Sequence, residues 1–349
     1  MVVIVHNEKK SIKAYILGVS SYLPKNVLSN EQLSSDFPEW SVDKIYEKTG
    51  IRTRYIASTD ETCSSMAINA AKNLFKKYNL NATQVDYVLL CTQSPDYVLP
   101  TTACIVQNEL GIPTTAGALD FNLGCSGYVY GLSMAKALIE SKQAKNVLLL
   151  TSELYSRYIN VNDKSVRTLF GDAATATLIQ GKLADRDFIH SVKFGTDGKG
   201  AINLIVPHGG SKYPISSQSF IESVDSSGNK RSLCNLYMNG AEILTFTLKT
   251  VPKAILEILN ETNLNQAQVD KVIFHQANKF MLDKLRQKTG FSAEQFLVSY
   301  EEYGNTVSST IPLGIERALY KSELNANEKL LICGFGVGYS WAGCIVEWC

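Results

Sequence analysis

Histidine is scarce in this chain: His6, His190, His208 and His275 are the four it has among 349 residues. Chemistry that needs an imidazole must draw on that short roster. Eight cysteines are present, but they are scattered and no two stand in Cys-x-x-Cys spacing. A disulfide framework and a structural zinc site are therefore not expected, and a reducing, cytoplasmic setting is. Excess charge is missing as well, since 34 Lys+Arg against 33 Asp+Glu leave a formal net charge of +1. Nucleic acid is accordingly not an expected partner. The apolar run at residues 2–5 is too short for a membrane anchor and has no basic flank, so it reads as neither signal peptide nor anchor. No Walker-type Lys-[Ser/Thr] ending or following helix accompanies the C-terminal glycine-rich stretch, which disfavours a phosphate-binding loop.

Apolar side chains, in contrast, make up 45% of the residues, enough to bury a large core in two domains or two halves of one layered body. Apolar periodicity predicts strands at 15–19, 87–91, 116–121, 146–151 and, after a tight turn at Gly171, up to 179. Helices are predicted at 30–37, 61–78, 102–110 and 127–142. Residues 182–235 read as an irregular connection, rich in turn signals such as Gly209-Gly210-Ser211 and Asp225-Ser226-Ser227-Gly228. The remainder returns to the same rhythm: helices at 242–260, 277–289 and 310–320, and strands at 269–274, 329–334 and 344–348. Pro252 marks a break or new start in the first of these helices. The linkers Asn79-Leu80-Asn81-Ala82-Thr83-Gln84-Val85-Asp86 and Asn263-Leu264-Asn265-Gln266-Ala267-Gln268-Val269-Asp270 echo each other, each between a helix and a strand. That echo predicts an internal duplication, with halves at 1–181 and 236–349 and a cleft where they meet.

Three positions could carry chemistry. Cys125 lies in Leu119-Asp120-Phe121-Asn122-Leu123-Gly124-Cys125-Ser126-Gly127, where an apolar strand ends and a helix begins. Free N–H groups at such a helix entrance would favour thiolate over thiol. His275 closes the apolar strand Lys271-Val272-Ile273-Phe274, which suits cleft chemistry as well as a packed, satisfied imidazole. Asn305, after Gly304, reads equally as a functional amide and as a cap or turn residue. Gly334 to Gly343 is either a turn between core strands or a loop offering an N–H to a developing oxyanion.

Taken together, Gly50-Ile51-Arg52-Thr53-Arg54-Tyr55-Ile56-Ala57, Cys125-Ser126-Gly127-Tyr128, Phe170-Gly171-Asp172, Met238-Asn239-Gly240, His275-Gln276-Ala277-Asn278 and Gly304-Asn305-Thr306 form an ordered set. In that set, with the closing glycine-rich loop, the chain resembles the β-ketoacyl-acyl-carrier-protein synthase III family of thiolase-like condensing enzymes over essentially its whole length. The resemblance implies an α/β fold of five layers, αβαβα, and a homodimer. It implies Cys125 as nucleophile, His275 and Asn305 as its partners, and an oxyanion hole from the backbone N–H groups of Cys125 and Val337. An acyl-coenzyme A primer and malonyl on acyl carrier protein are the implied substrates, with no permanently bound cofactor, no metal, and no membrane partner.

Departures from the family pattern concern the substrate. The tryptophan and arginine that clamp coenzyme A in fatty-acid initiators fall on Lys44 and Lys48, with Trp40 a turn upstream as a substitute. A basic docking position falls on Phe280, beside Lys279. Leu99 occupies an acyl-pocket position often held by phenylalanine, which points to a longer or branched primer and, lacking a carboxylate, away from head-to-head condensation. Lys279, Lys284, Arg286 and Lys288 read either as a solvated helix face or as a docking surface for an acidic carrier protein. The alternative activity is transfer of the cysteine-bound acyl group to an amine or alcohol.

Overall fold

The computed structural model describes residues 10–349, so the apolar run at residues 2–5 and His6 lie outside the described residues. In the strand Asn146–Glu153, successive side chains point to opposite faces, and every one from Val147 to Glu153 is buried. Val147 and Leu149 join one core cluster while Leu148 and Leu150 join another. A strand with two apolar faces must be covered on both sides, and it lies inside a five-stranded sheet. That sheet runs Ser11–Tyr22, Ala173–Ala184, Asn146–Glu153, Tyr87–Cys91, Gly117–Phe121, the last three parallel to one another. A second sheet runs Lys193–Thr196, Ser340–Glu347, Lys329–Gly336, Lys271–Phe274.

Helices Cys63–Tyr78 and Thr102–Glu109 cover the outer face of the first sheet. Gly127–Glu140 and Thr310–Tyr320 fill the space between the sheets, through Leu132, Ile139, Ile311 and Ile315. The helix Gly240–Thr262 covers the second sheet from outside, and Lys279–Thr289 packs against that helix. The result is the expected αβαβα stack.

The duplication extends to hydrogen bonds. Both echoing linkers begin with an asparagine in the left-handed region, Asn79 at φ 52° and Asn263 at φ 53°. Each continues into a short 3-10 turn boxed by an asparagine and a glutamine, Asn81 with Gln84 and Asn265 with Gln268. Asp86 then accepts from the N–H of Asn146, and Asp270 from the N–H of Lys329, pinning the start of the equivalent neighbouring strand. Strand order matches too, and even the edge strand Gly117–Phe121 has a vestige in the parallel bridge Val272–Phe296.

Four features differ from the sequence-based expectation. Lys193–Thr196, inside the irregular connection, forms the edge of the second sheet. The helix Gly240–Thr262 runs through Pro252 unbroken, because buried Val251, Ala254 and Ile255 anchor it on both sides of the missing hydrogen bond. The glycine-rich stretch is the turn between core strands that the sequence allowed, but its strands reach further, to Gly336 and from Ser340, leaving only Val337-Gly338-Tyr339 as the turn. An unpredicted helix, Val42–Thr49, and the strand pair Asn26–Ser29 with Thr53–Ile56 add a flap at the N-terminal side.

Arg54 explains why several separate stretches of the chain belong together. Its side chain is wholly buried, donating from Nε to the Thr168 carbonyl at 2.9 Å and from Nη1 to Asn30 Oδ1 at 2.6 Å. No carboxylate pairs with it among the described residues, and burial pulls its pKa down to about 9, which still leaves it charged at neutral pH. Gly304, at φ +68°, packs against it: a Cβ there would sit 3.0 Å from Arg54 Cγ and 2.9 Å from the Leu169 carbonyl. Asn305 follows at once, its N–H on Leu169 and its carbonyl accepting from Gly171. Arg54→Met should lower stability by about 2–4 kcal/mol, since the Thr168 carbonyl and Asn30 Oδ1 would stay buried without donors. Urea unfolding measures this, and an unchanged midpoint would remove Arg54 from the framework of the site.

Candidate active site

Cys125 sits in the turn just before the helix Gly127–Glu140 and is almost wholly buried. Its own N–H and that of Val337 face the sulfur and favour the thiolate. Burial outweighs them and, with the nearby Glu153 carboxyl, pushes the thiol up to about 12. The expectation of a resting thiolate is therefore corrected: the desolvation cost of a buried anion exceeds what the helix entrance returns. Glu153 is itself pushed up to about 8 by burial, with Ser308 Oγ donating to it at 2.6 Å and the Gln93 N–H at 3.0 Å. It is uncharged at neutral pH, so burial governs the thiol there.

His275 stands at the end of Lys271–Phe274, as expected, with its N–H on the Cys333 carbonyl. Its ring is buried, edge-to-face with Phe335 at 5.5 Å and 84°. Nδ1 lies 2.8 Å from Thr310 Oγ1, which is also 3.0 Å from the Val307 carbonyl. One hydroxyl proton therefore selects the tautomer: turned to Val307 it makes Nδ1 the protonated nitrogen, turned to the ring it leaves the proton on Nε2. Burial holds the imidazole neutral, down to about 3, against the opposing pull of the Val307 carbonyl.

Asn305 Oδ1 accepts from the Val307 N–H at 3.0 Å, so the Nδ2 group, without a partner among the described residues, is the free end. Val307 has φ +56°, a strained conformation for a β-branched residue. In that pose its N–H serves Asn305 while its carbonyl serves Thr310 beside His275.

Cys125, His275 and Asn305 line one small cavity of about 80 Å³, with Met238, Gly240 and Phe335. A second chamber of about 500 Å³ lies beside Val337, lined by Gln93, Asn122, Tyr155 and Tyr158, and the two share Leu204. Of the other described histidines, His190 faces Glu347 at 3.5 Å, and His208 lines the larger chamber, bonded to Ser219 and stacked on Tyr213. Gln93, Tyr155, Thr310 and Glu153 were missed from sequence because each acts through a neighbour distant along the chain, and Val307 because a β-branched residue gives no sign of its left-handed φ.

The expected binding residues fall into separate places. Lys44 and Lys48 approach the Trp40 ring at 5.6 and 5.3 Å, forming a cationic-aromatic cluster, and Lys164 reaches Glu39 next to it. Lys279 pairs with Asp283 at 2.7 Å, and Phe280 is exposed with the Lys284 ammonium 5.8 Å over its ring. Arg286 lies further along the same helix, with Lys288 exposed. Leu99 lines none of these cavities; it is 79% exposed on a surface loop with Tyr97 and Val98. Among the described residues, no group of three or more His, Cys, Asp or Glu could hold a metal ion, and no helix is long and apolar enough to cross a membrane.

Comparison with known proteins agrees with this architecture. Family models described as 3-oxoacyl-[acyl-carrier-protein (ACP)] synthase III, and as its C terminal, match residues 119–198 and 259–348. The chain is 32% identical over 342 residues to the β-ketoacyl-[acyl-carrier-protein] synthase III of Caldanaerobacter subterraneus subsp. tengcongensis, covering 97% of this chain and 99% of that one. It is 35% identical over 339 residues to that of Lactococcus lactis subsp. lactis, covering 96% and 99%. A crystal structure of a 3-oxoacyl-(acyl-carrier-protein) synthase III superposes with a TM-score of 0.95 at 50% identity, over 96% of this chain and all of the other. With full-length identity of this order and a shared αβαβα frame, the chain belongs to the β-ketoacyl-acyl-carrier-protein synthase III family of thiolase-like condensing enzymes.

Proposed function

We propose that this protein performs a decarboxylating Claisen condensation, joining an acyl group from coenzyme A to malonyl on acyl carrier protein through an acyl–Cys125 intermediate. The observation that carries this reading is the small cavity where a buried thiol meets a neutral imidazole and the free amide end of Asn305. Cys125 starts as a thiol, so its proton leaves as the sulfur attacks the thioester. The Nδ1–H tautomer of His275 offers an Nε2 lone pair to take that proton and pass it to the departing coenzyme A sulfur. Before the second half-reaction the ring changes tautomer by exchange with solvent, losing the Nδ1 proton and gaining one at Nε2, so that the Thr310 hydroxyl donates to Nδ1 and Nε2 becomes a donor. Nε2–H and the Asn305 amide then hold the enolate oxygen formed as carbon dioxide leaves. Both donors are neutral, so they stabilise charge without quenching the carbanion. The carbanion attacks the Cys125 thioester, and the N–H groups of Cys125 and Val337 receive the second oxyanion. Transfer of the acyl group to an amine or alcohol would need no enolate donors, so the Asn305–His275 pair disfavours it.

The substrates and assembly follow the same reading. Trp40, Lys44 and Lys48 suit an adenine ring and its phosphates, and the helix bearing Lys279, Phe280, Lys284 and Arg286 offers a basic surface to an acidic carrier protein. A homodimer is supported by exposed Tyr97, Val98 and Leu99 beside the free edge of Gly117–Phe121, and there Leu99 would close the partner's acyl pocket. Eight free thiols fit a cytoplasmic setting. The halves are assigned to residues 1–181 and 236–349, with 182–235 connecting them and lending the edge strand Lys193–Thr196 to the second sheet.

Intact-mass measurement tests the assignment of steps. Wild-type protein should gain an acyl mass from acyl-coenzyme A, and Cys125→Ala should gain none. Asn305→Ala should load as the wild type does and His275→Ala more slowly, having lost the base for the thiol proton, while product formation with malonyl–acyl carrier protein falls by about 10²–10³ for each lost donor. Equal damage to loading and condensation in Asn305→Ala would refute the division of labour. The pH profile is a second test. His275 is held near 3, below its ordinary 6.5, so decarboxylation should show no ionisation near 6.5 between pH 5 and 8. A limb at that pH would mean that the ring titrates. The same shift makes the fold less stable as pH drops through 6.5 toward 3, because the unfolded imidazole binds a proton that the buried one refuses.

A further inference from the structure

The larger chamber sets polar side chains, Gln93 and Asn122 among them, beside apolar Leu204, Val206 and Leu236. The Gln93 amide is fixed at both ends. Tyr155 O–H donates to Oε1, and Nε2 donates to Asn122 Oδ1 at 3.0 Å. Its backbone is held as well, by Tyr158 O–H on its carbonyl at 2.9 Å and by Glu153 Oε2 on its N–H at 3.0 Å. The amide therefore cannot turn its oxygen toward the chamber without giving up Tyr155. What remains free among the described residues is one N–H of Gln93 and the Nδ2 group of Asn122, a pair of donors on the chamber wall. Gln93 stands beside the turn that holds Cys125: a Cβ on Gly124, the residue before it, would lie 2.7 Å from Gln93 Oε1 and 2.7 Å from Val337 Cγ1. A group on Cys125 that extends past the Val337 turn enters the chamber this amide lines.

We propose that Gln93 and Asn122 are specificity-determining residues that select acyl primers carrying an oxygen acceptor, a hydroxyl or carbonyl, within a few carbons of the thioester. The proposal rests on the acyl–Cys125 reading above. A saturated chain would displace water from these donors and return no hydrogen bond, whereas an oxygenated chain replaces that water.

The test compares 3-hydroxybutyryl-coenzyme A with butyryl-coenzyme A, which share a carbon skeleton, by the rate of Cys125 loading and coenzyme A release. Wild-type protein should prefer the hydroxylated primer by about tenfold in kcat/KM, the worth of one hydrogen bond in a partly wetted site. Gln93→Leu should abolish or invert that preference, and Asn122→Ala, at an exposed position that leaves the Tyr155 bond intact, should weaken it. Equal or faster loading of butyryl by wild-type protein overturns the proposal while leaving the acyl–Cys125 reading in place. A preference that survives both substitutions also overturns it. Failure of both primers, and of longer alkanoyl-coenzyme A donors, to load at all would refute the acyl–Cys125 reading and this inference with it.

Discussion

The site depends on how closely the strand Lys329–Gly336 presses on the turn that holds Cys125. A Cβ at Gly334 would lie 2.5 Å from the Cys125 carbonyl, and one at Gly336 would lie 2.8 Å from both Cβ and Sγ of Cys125. Only bare backbone fits there. The consequence is chemical as well as steric, for it brings the Val337 N–H to the sulfur, the place the proposed condensation needs an oxyanion donor. Ser126 Oγ and Ser340 Oγ share a hydrogen bond that ties the same turn to the returning strand. The Cys125 thiol comes from one half of the duplicated fold and the Val337 N–H that faces it from the other, joined at this contact.

Burial on that scale makes the site electrically quiet. Cys125 is held up to about 12, Glu153 up to about 8 and His275 down to about 3, so all three are uncharged near neutrality. Charge then appears only as the reaction creates it, at oxygens that fixed donors face. Fixing those donors strains the backbone at Val307, whose left-handed pose lets one peptide serve Asn305 on one side and the Thr310–His275 pair on the other. A strained residue persists where its surroundings over-determine it, and here the segment is gripped by the Arg54 framework before it and by the buried helix Thr310–Tyr320 after it.

Much of this was legible in the sequence, for reasons that can be named. The strand Tyr87–Cys91 and the helix Thr310–Tyr320 were predicted to the residue because one buried run and one amphipathic face dominate their composition. The duplication was visible because each linker must make the same cap and the same Asp-to-strand bond. The helix Val42–Thr49 escaped because only Ile45 and Thr49 are buried, although Ser41 and Gly50 do mark its ends. Lys193–Thr196 escaped because an edge strand with no buried residue shows no apolar pattern. Thiolate was expected at Cys125 from local features, and the thiol state follows from surroundings that no local window contains.

The same limit explains why substrate was harder to read than chemistry. Cys125, His275 and Asn305 each sit in a short motif at an element boundary, where a few neighbours dictate geometry. The larger chamber is assembled from Gln93, Asn122, Tyr155, Leu204 and Val337, each from a different stretch of chain. Its character is set by which end of the Gln93 amide faces inward, and that is decided by Tyr155, distant in sequence. Leu99, read from sequence as an acyl-pocket residue, is exposed and lines neither chamber, and in the proposed dimer it would act on the partner's primer. Within one chain, Gln93 and its partners fix where the chamber's polar groups point, and under the proposed reading primer choice follows that hydrogen-bond network rather than the apolar loop.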